Sequence, residues 1–341
     1  MPNIMLTYRC NLNCCYCFAN EFVNQDCKEI SIDNFKKALN FITSDGPSPV
    51  GLIGGEPTLH KGFKEILEIL IKDRRVQDVT LYTNGLLINN FINQLVTPKF
   101  HLLVNCNSPQ IIGEKNFNKI RDNLDILFND YYMKDRINLG INLYSDDMDY
   151  SYMIDLLKRY DLHRVRISLT VPDFSMCGDI EVLEYFKKRK AFLLRFFKDM
   201  DGNMVLPYYD CNKPPYCIWD EEEKRWLEAY INKYGVSESN LVGNCSRCFP
   251  VIDILPDLHA VRCFGMSDFL KISIDDFKNI VDIASYFINE IDAFSYMIPT
   301  EGTCGDCYDR RIRRCTAGCI GFKSSKINQV SSYLNKISMK I

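Results

Sequence analysis

A chain of 341 residues with 47% hydrophobic and 25% charged residues can bury one large core or two modest ones, and its formal net charge of −3 gives no electrostatic case for a nucleic-acid partner. The start, Met1-Pro2-Asn3-Ile4-Met5-Leu6-Thr7, lacks the basic and apolar regions of a secretion signal, and no apolar run reaches membrane-spanning length. The expected location is the cytoplasm with no membrane partner, and there sixteen cysteines point to metal or redox chemistry rather than to disulfides.

The first strand is expected at Ile4–Tyr8, and it leads directly into Cys10, Cys14 and Cys17, with Tyr16 just before the third. This C-x3-C-x2-C spacing offers three thiolates from one short loop, enough for three corners of a [4Fe–4S] cube whose fourth iron stays open. A zinc knuckle or a set of buried thiols is the plainer reading, but zinc usually draws four ligands from two separated pairs. An amphipathic helix follows over Ile32–Ile42, with Ser31 placed to cap it. The second strand, Val50–Gly54, runs into Gly54-Gly55-Glu56-Pro57. Glycines there let the backbone come close to a ligand, and the carboxylate can pair with an ammonium group.

The alternation continues. Helix Phe63–Ile71 precedes strand Asp78–Thr83, which ends in Thr83-Asn84-Gly85, and helix Leu87–Leu95 precedes strand Phe100–Asn105, which leads into Asn107 and Ser108. Helix Phe117–Phe128 is followed by strand Ile137–Tyr144 with Asn142 on it. Helix Tyr152–Tyr160, with Asp149 just ahead, precedes strand Arg164–Val171, which carries Arg166 and Ser168, and helix Val182–Phe197 closes the series. Six βα units in a row predict an α/β fold, a parallel sheet with right-handed crossovers curled into a partial (βα)6 TIM-like barrel, over residues 1–200. Such barrels carry their chemistry at the C-terminal strand ends, where the cysteine loop falls.

From about residue 200 the rhythm changes. Residues 201–244 read as a bridge: Asn203–Ile218 is irregular, with Pro207, Pro214, Pro215, Cys211 and Cys217, and a helix is expected over Glu221–Lys233. Residues 245–341 form a second cysteine-rich region, expected to end in a helix. Cys245-x2-Cys248 is followed after fourteen residues by Cys263, and Cys304-x2-Cys307 is followed after seven residues by Cys315 and after three more by Cys319. Val251–Leu255 and His259–Arg262 read as a β-hairpin between Cys248 and Cys263. One or two structural zinc sites would also explain this region. Arg310, Arg311, Arg313 and Arg314 read as a solvated basic face, or as cations set beside metal-bound thiolates.

The Cys10 to Cys17 run, with Tyr16 before its last cysteine and Gly54-Gly55-Glu56 one βα unit later, resembles the radical S-adenosylmethionine (SAM) enzymes. The resemblance implies a cube on Cys10, Cys14 and Cys17 whose open iron takes SAM, passes it an electron and releases a 5′-deoxyadenosyl radical that abstracts hydrogen from a C–H bond. It implies that Gly54, Gly55 and Glu56 hold the methionyl amino group, that Asn105 with Asn107 and Ser108 meets the ribose, and that Arg166, Ser168 and Asn142 meet the carboxylate or the ribose. The second cysteine region resembles the SPASM domain, which implies one or two auxiliary [4Fe–4S] clusters. By that resemblance Cys245, Cys248, Cys263 and Cys319 hold one, and Cys304, Cys307 and Cys315 hold the other, its fourth place open to Cys211, Cys217, substrate or water. Three details depart from the pattern: Leu258 stands where a glycine is expected, seven residues rather than five separate Cys307 from Cys315, and no cysteine follows Cys319.

Enzymes of this type mostly modify peptides. The implied reaction is a thioether or carbon–carbon crosslink, or an epimerisation for which a non-cluster thiol returns hydrogen. Cys15, Cys27, Cys106, Cys177, Cys211 and Cys217 lie outside the implied ligand sets, and Cys211 and Cys217 are the catalytic candidates among them. The implied partners are a precursor peptide and a reductant such as flavodoxin or ferredoxin; with only nine residues ahead of Cys10 and no fused leader-binding domain expected, the precursor is recognised either by the barrel and SPASM surfaces or by a separate leader-recognition protein. Formylglycine synthesis is the less favoured alternative, since Phe264 occupies the place after Cys263 where that chemistry has an aspartate. Dehydrogenation of a small molecule is another. A non-catalytic iron–sulfur or zinc scaffold is argued against by Glu56 and the βα order.

Overall fold

The computed structural model describes residues 1–17, 23, 28–170, 181–235, 241, 248–263, 270–298 and 302–323. Cys27, Cys177, Cys245, Phe264 and the expected C-terminal helix lie outside the described residues. The strands are β1 (Asn3–Met5), β2 (Ser48–Ile53), β3 (Val76–Thr83), β4 (Phe100–Asn105), β5 (Ile137–Leu143), β6 (Arg164–Leu169), β7 (Leu206–Tyr209), β8 (Asp253–Ile254), β9 (His259–Val261) and β10 (Ile272–Ser273). The helices are α1 (Ile32–Ile42), α2 (Phe63–Lys72), α3 (Ile92–Leu95), α4 (Pro109–Ile112), α5 (Glu114–Asp125), α6 (Ser151–Arg159), α7 (Val182–Gly202), α8 (Glu221–Lys233), α9 (Ile280–Phe287), α10 (Ala293–Met297) and α11 (Tyr308–Arg311). They group into two compact units, one of residues 1–142, 149–165 and 250–285, the other of residues 143–148, 166–249 and 286–341.

In the first unit the strand order is β10-β9-β8-β1-β2-β3-β4-β5, and β1 through β5 pair in parallel as the βα alternation predicts. The expected partial barrel is present here as an open, mostly parallel sheet. Its helices stand on it because their apolar residues fall at three- and four-residue spacing: Phe35, Leu39 and Ile42 of α1 and Phe63, Ile66, Leu67 and Leu70 of α2 are buried with Ile4, Leu52, Leu81 and Leu102 of the strands. Ser31 caps α1, its Oγ accepting the Asn34 N–H at 3.0 Å, and Asp149 Oδ1 accepts the Ser151 N–H at 2.8 Å ahead of α6. The helix expected at Leu87–Leu95 instead begins as a 3-10 turn over Ile88–Phe91 and becomes α-helical only in α3. Asn89 and Asn90 fall in that turn, and asparagine is a weak helix former.

The hairpin expected around residue 256 is present as antiparallel β8 and β9, and β8 also pairs in parallel with β1. A buried hydrogen bond from Asn3 Nδ2 to Asp253 Oδ1, 2.6 Å, fixes that register, and the Asn3 side chain fills the space where Gly51 lacks one. Leu258 adopts a left-handed backbone with φ of 66° at the turn, so the conformation that glycine favours is kept by a leucine. Periodicity does not reveal β10, a two-residue strand.

In the second unit β6 and β7 are neighbours, and α7 buries Tyr185, Phe186, Phe192, Leu193, Phe196 and Phe197. β7 lies inside the stretch expected to be irregular; four residues with Pro207 among them give no periodic signal. A capping box starts α8, with Asp220 accepting from the backbone of Glu222 and Glu223 while Glu223 reaches back to the Asp220 N–H. Among the described residues no helix is long and apolar enough to cross a membrane.

Candidate functional site

The C-terminal ends of β1 and β2 are zipped together beyond the strands themselves. The Leu6 N–H donates to Ile53 O, the Gly55 N–H to Thr7 O and the Glu56 N–H to Arg9 O, all at 2.8 Å. A Cβ on Gly54 would stand 2.7 Å from Thr7 O, and one on Gly55 would stand 2.4 Å from Arg9 O. The two glycines therefore serve a close approach of backbone to backbone, where the sequence suggested an approach to a ligand. The consequence is positional: the residue after Arg9 is Cys10, so the cysteine loop is tied to Glu56. Gly55→Ala should push the two loops apart and lower stability by about 1–3 kcal/mol, as overpacking does, which a thermal melt of the variant would register; an unchanged melting temperature would show that the loops give way freely.

The base of the cysteine loop is closed on its other side as well. Lys28–Ile30 runs back along Leu6–Tyr8, with the Tyr8 N–H on Lys28 O at 3.0 Å and the Ile30 N–H on Leu6 O at 2.9 Å. Arg9 donates to the Glu29 carboxylate and, at 2.5 Å, to Leu59 O.

Glu56 is buried, and its carboxylate accepts four hydrogen bonds. Oε1 takes the Thr58 N–H at 3.2 Å, the Thr58 hydroxyl at 2.7 Å and the Thr83 hydroxyl at 2.8 Å, while Oε2 takes the Asn84 N–H at 2.8 Å. Burial raises its pKa above the usual carboxylate range, and the Asn84, Thr58 and Thr83 donors pull against that rise. The side chain is thus a strut between the ends of β2 and β3, and Oε2, with one donor against three on Oε1, has the capacity for another. Asn84 extends the link by donating from Nδ2 to Asn11 Oδ1 at 2.7 Å, inside the cysteine loop. Thr58 and Asn11 are not distinguished in the sequence, and Thr83 is legible there only as a strand end, since nothing in their spacing reports a shared carboxylate. Gly85, at φ 82°, lies against Val104 where a side chain would collide.

The cysteine loop is internally ordered by the Leu12 N–H on Cys10 Sγ at 3.5 Å and the Cys17 N–H on Cys14 O at 3.0 Å. Cys17 packs against the cluster of Met5, Tyr8, Leu255 and Val261. Tyr16 donates its hydroxyl to Asn107 Oδ1, and Asn107 Nδ2 donates to Cys14 Sγ at 3.6 Å, which joins the end of β4 to the same loop. Burial first raises the Cys10 thiol to about 11, with Glu56 and Cys17 adding to the rise, and burial first raises Cys14 to about 11 with Cys10 and Cys17 adding. The three thiols are near enough to repel one another as thiolates. Among the described residues no three His, Cys, Asp or Glu side chains are placed to hold a single metal ion. The donor set fits a larger, cationic group with sulfur affinity.

Asn105 ends β4 in a half-buried position, and Ser108 caps α4 by accepting the Gln110 N–H at 3.1 Å. Asn142 is the penultimate residue of β5, also half-buried. Cys106 is buried, and burial raises its thiol to about 12.

Apart from Cys263, the remaining expected residues sit in the second unit. Arg166 Nη2 donates to Asp210 Oδ2 at 3.0 Å, and the Ser168 hydroxyl bonds to Cys211, which also feels the charges of Arg166 and Asp210 and the Cys248 thiol. Arg166 and Ser168 are therefore joined to the Asp210-Cys211 pair. Cys217 has different neighbours: it is within electrostatic reach of Cys307 and Cys315, and Cys304 is within reach of Cys217, Cys315 and Cys307. Cys319 and Cys248 belong to the same unit, and Cys263 follows β9 in the first.

The arginine run is not one solvated face. Arg310 is buried and donates to Ile298 O at 2.6 Å and Ser295 O at 3.3 Å, while Arg314 pairs with Asp309 and Arg311 donates to Asp306 O at 2.8 Å. Lys323, unremarked in the sequence, is also buried; it donates to Thr316 O, and burial, followed by Arg310, pushes its pKa down to about 7 against the pull of Cys315, Cys304 and Cys319.

Comparison with known proteins agrees with the geometry. Residues 4–129 match the Radical SAM superfamily. GTP 3′,8-cyclase of Clostridium perfringens is 32% identical over 95 residues, covering 27% of this chain and 29% of the relative. Molybdenum cofactor biosynthesis protein 1 of Dictyostelium discoideum is 24% identical over 270 residues, covering 72% of this chain and 39% of its own length. The chain thus spans well under half of either relative. Among solved structures, Streptococcus suis SuiB bound to S-adenosylmethionine superposes with a TM-score of 0.55 at 12% identity, covering 91% of this chain and 71% of that one. SuiB bound to precursor peptide SuiA gives 0.51 at 14% identity, covering 82% and 63%. The shared feature is the fold.

Proposed function

We propose, from the match of residues 4–129 to the Radical SAM superfamily, that this chain is a radical SAM enzyme that modifies a ribosomally made peptide by C–H abstraction. The observation that carries the first half is the tie between the Cys10, Cys14 and Cys17 loop and the buried carboxylate of Glu56, held at the ends of adjacent parallel strands. Cys10, Cys14 and Cys17 would hold a [4Fe–4S] cluster through three irons, a donor set that suits it in charge and softness. When bound, the cluster and SAM supply one-electron cleavage of SAM and hydrogen-atom abstraction from the substrate.

What the protein's own groups contribute follows from the contacts. Glu56 offers its remaining Oε2 capacity to the methionyl ammonium, whose charge lowers the carboxyl pKa that burial has raised. The Asn107 N–H on Cys14 Sγ withdraws electron density from a cluster ligand, a lever on reduction potential. Tyr16 orients Asn107 for that bond. Asn105, at the end of β4, is suited to the ribose. Arg166 and Ser168 act with Asp210 on Cys211, which makes Cys211 the thiol to examine if the product is an epimer.

The peptide half of the reading is supported by the cysteine-rich stretch from 245 to 319, which resembles the SPASM domain, and by the shared fold with SuiB, a protein described with a precursor peptide. A reductant of the flavodoxin or ferredoxin type is the partner this reading entails, and the precursor would be recognised by the enzyme's own surfaces or by a separate leader-recognition protein. The curated relative named GTP 3′,8-cyclase favours a second reading, turnover of a small molecule. The test is to reconstitute and reduce the protein anaerobically, add SAM, and follow 5′-deoxyadenosine with the peptide encoded beside the gene, with GTP, or with neither. A mass loss of two hydrogens from the peptide marks a crosslink or desaturation. Uptake of one solvent deuterium in heavy water marks epimerisation. A modified GTP and an untouched peptide would replace the peptide reading with the second.

A further inference from the structure

We propose that Cys217, from the proline-rich segment ahead of α8, completes a four-thiolate iron–sulfur site with Cys304, Cys307 and Cys315. All four residues belong to the second unit. The sequence left this fourth place open to Cys211, Cys217, substrate or water, and the structure separates the two cysteines: Cys211 is engaged with Ser168 beside Arg166 and Asp210, whereas Cys217 is within electrostatic reach of Cys307 and Cys315.

The juxtaposition is built on one helix. The 3-10 turn Tyr216–Ile218 packs against α7, held there by Trp219, whose ring lies 6.4 Å from Phe197. The other three thiols come from a loop seated on the first turns of the same helix. Phe322 closes that loop onto α7 with ring centroids 5.2 Å from Tyr185 and 6.2 Å from Phe186. Gly318, at φ 84°, lies so close to Val182 that a Cβ would come within 2.5 Å of its Cγ1. Both segments are thus docked within the first five turns of α7, and Lys187, between the two docking points, is within electrostatic reach of Cys217.

The loop itself has the form of a ligand loop. Cys307 is the N-cap of α11 and its N–H reaches Cys304 O, the Cys315 N–H donates to Asp309 O at 3.2 Å, and the Ala317 N–H donates to Cys315 Sγ at 3.3 Å. Buried Arg310 braces it from inside through Ile298 O. A backbone N–H aimed at a cysteine sulfur is the kind of bond that stabilises a cluster thiolate. The Cys217 side chain is exposed, so it can reach a shared group without disturbing the core. The site is independent of which substrate the enzyme takes, and its chemistry is that of a tetrathiolate [4Fe–4S] centre.

The test uses the full chain, reconstituted anaerobically with iron and sulfide, with iron content, Mössbauer and EPR spectra as readouts that need no turnover. Cys217→Ala should lower iron by up to one four-iron equivalent or convert that centre to a three-iron form, while Cys211→Ala leaves the count unchanged. Cys217→Ser preserves size and guards against misfolding; its centre should persist with an altered EPR spectrum. Thiol footprinting of the unaltered protein gives a check without substitution: Cys217 should alkylate in the iron-free chain and be protected in the loaded one. Equal labelling in both, unchanged iron and spectra in Cys217→Ala, a loss confined to Cys211→Ala, or stoichiometric zinc in place of this centre would each overturn the proposal. The Cys10, Cys14 and Cys17 centre reports separately through SAM cleavage, so failure of the radical SAM reading would leave this result standing.

Discussion

Replacing Cys10, Cys14 and Cys17 together with alanine is expected to remove one four-iron equivalent from the reconstituted protein and to bring 5′-deoxyadenosine formation down to background. With all three replaced, Cys15 is the one soft donor left between residues 10 and 17, and a single thiolate does not hold a cube, so the effect is all or none. The protein should remain folded, because the backbone ties from Leu6 to Arg9 with Ile53 to Glu56 and with Lys28 to Ile30 do not pass through the thiols. Circular dichroism with iron analysis and chromatographic assay of 5′-deoxyadenosine on one preparation separates the outcomes. Persistent SAM cleavage in the folded triple variant would end the radical SAM reading.

The second large effect is expected at Glu56. A charge-assisted hydrogen bond to an ammonium is worth roughly 1.5–3 kcal/mol, so Glu56→Gln should weaken SAM binding by about 10- to 150-fold by that conversion, measured by calorimetry on the reconstituted protein. The pH dependence has a definite sign. Burial raises the folded-state pKa of Glu56 above its unfolded value, so the folded chain holds this proton more tightly than the unfolded chain. Stability contributed by the protonated form is complete below the unfolded pKa and is lost as pH rises through the folded pKa. The melting temperature of Glu56→Gln relative to wild type should therefore climb as pH increases through the acid range, in protein without SAM. SAM binding opposes this because its ammonium favours the carboxylate, so wild-type affinity should rise with pH over the same window while that of Glu56→Gln stays flat. A flat wild-type profile would mean that Glu56 serves only as the strut between β2 and β3. Glu56→Ala is the control for that role: it strands the buried N–H groups of Thr58 and Asn84, at about 1–3 kcal/mol each, and should destabilise the fold as well as the site.

What the sequence by itself determined is what spacing encodes. Residues three and four apart share a helix face and residues two apart share a strand face, so the strands from Ile4 to Leu169, most of the helices, the Ser31 cap and the hairpin around Leu258 could be read from local pattern. The cysteine trio and Gly54-Gly55-Glu56 could be read for the same reason, each being a short run whose residue types restrict its chemistry. Only the tertiary structure decided the partners. That Gly55 makes room for Arg9 O, that Glu56 is held by Thr58, Thr83 and Asn84, and that Asn107 leans on Cys14 are contacts across strand ends up to 93 residues apart, and no periodicity spans such gaps. The same holds for the parallel pairing of β8 with β1, where Asn3 meets Asp253, and for Cys217 rather than Cys211 beside Cys304, Cys307 and Cys315. Lys323 shows the limit most plainly: a lysine reads as surface in any sequence, and only the enclosing carbonyls of Thr316 and Ser295 make its burial tolerable.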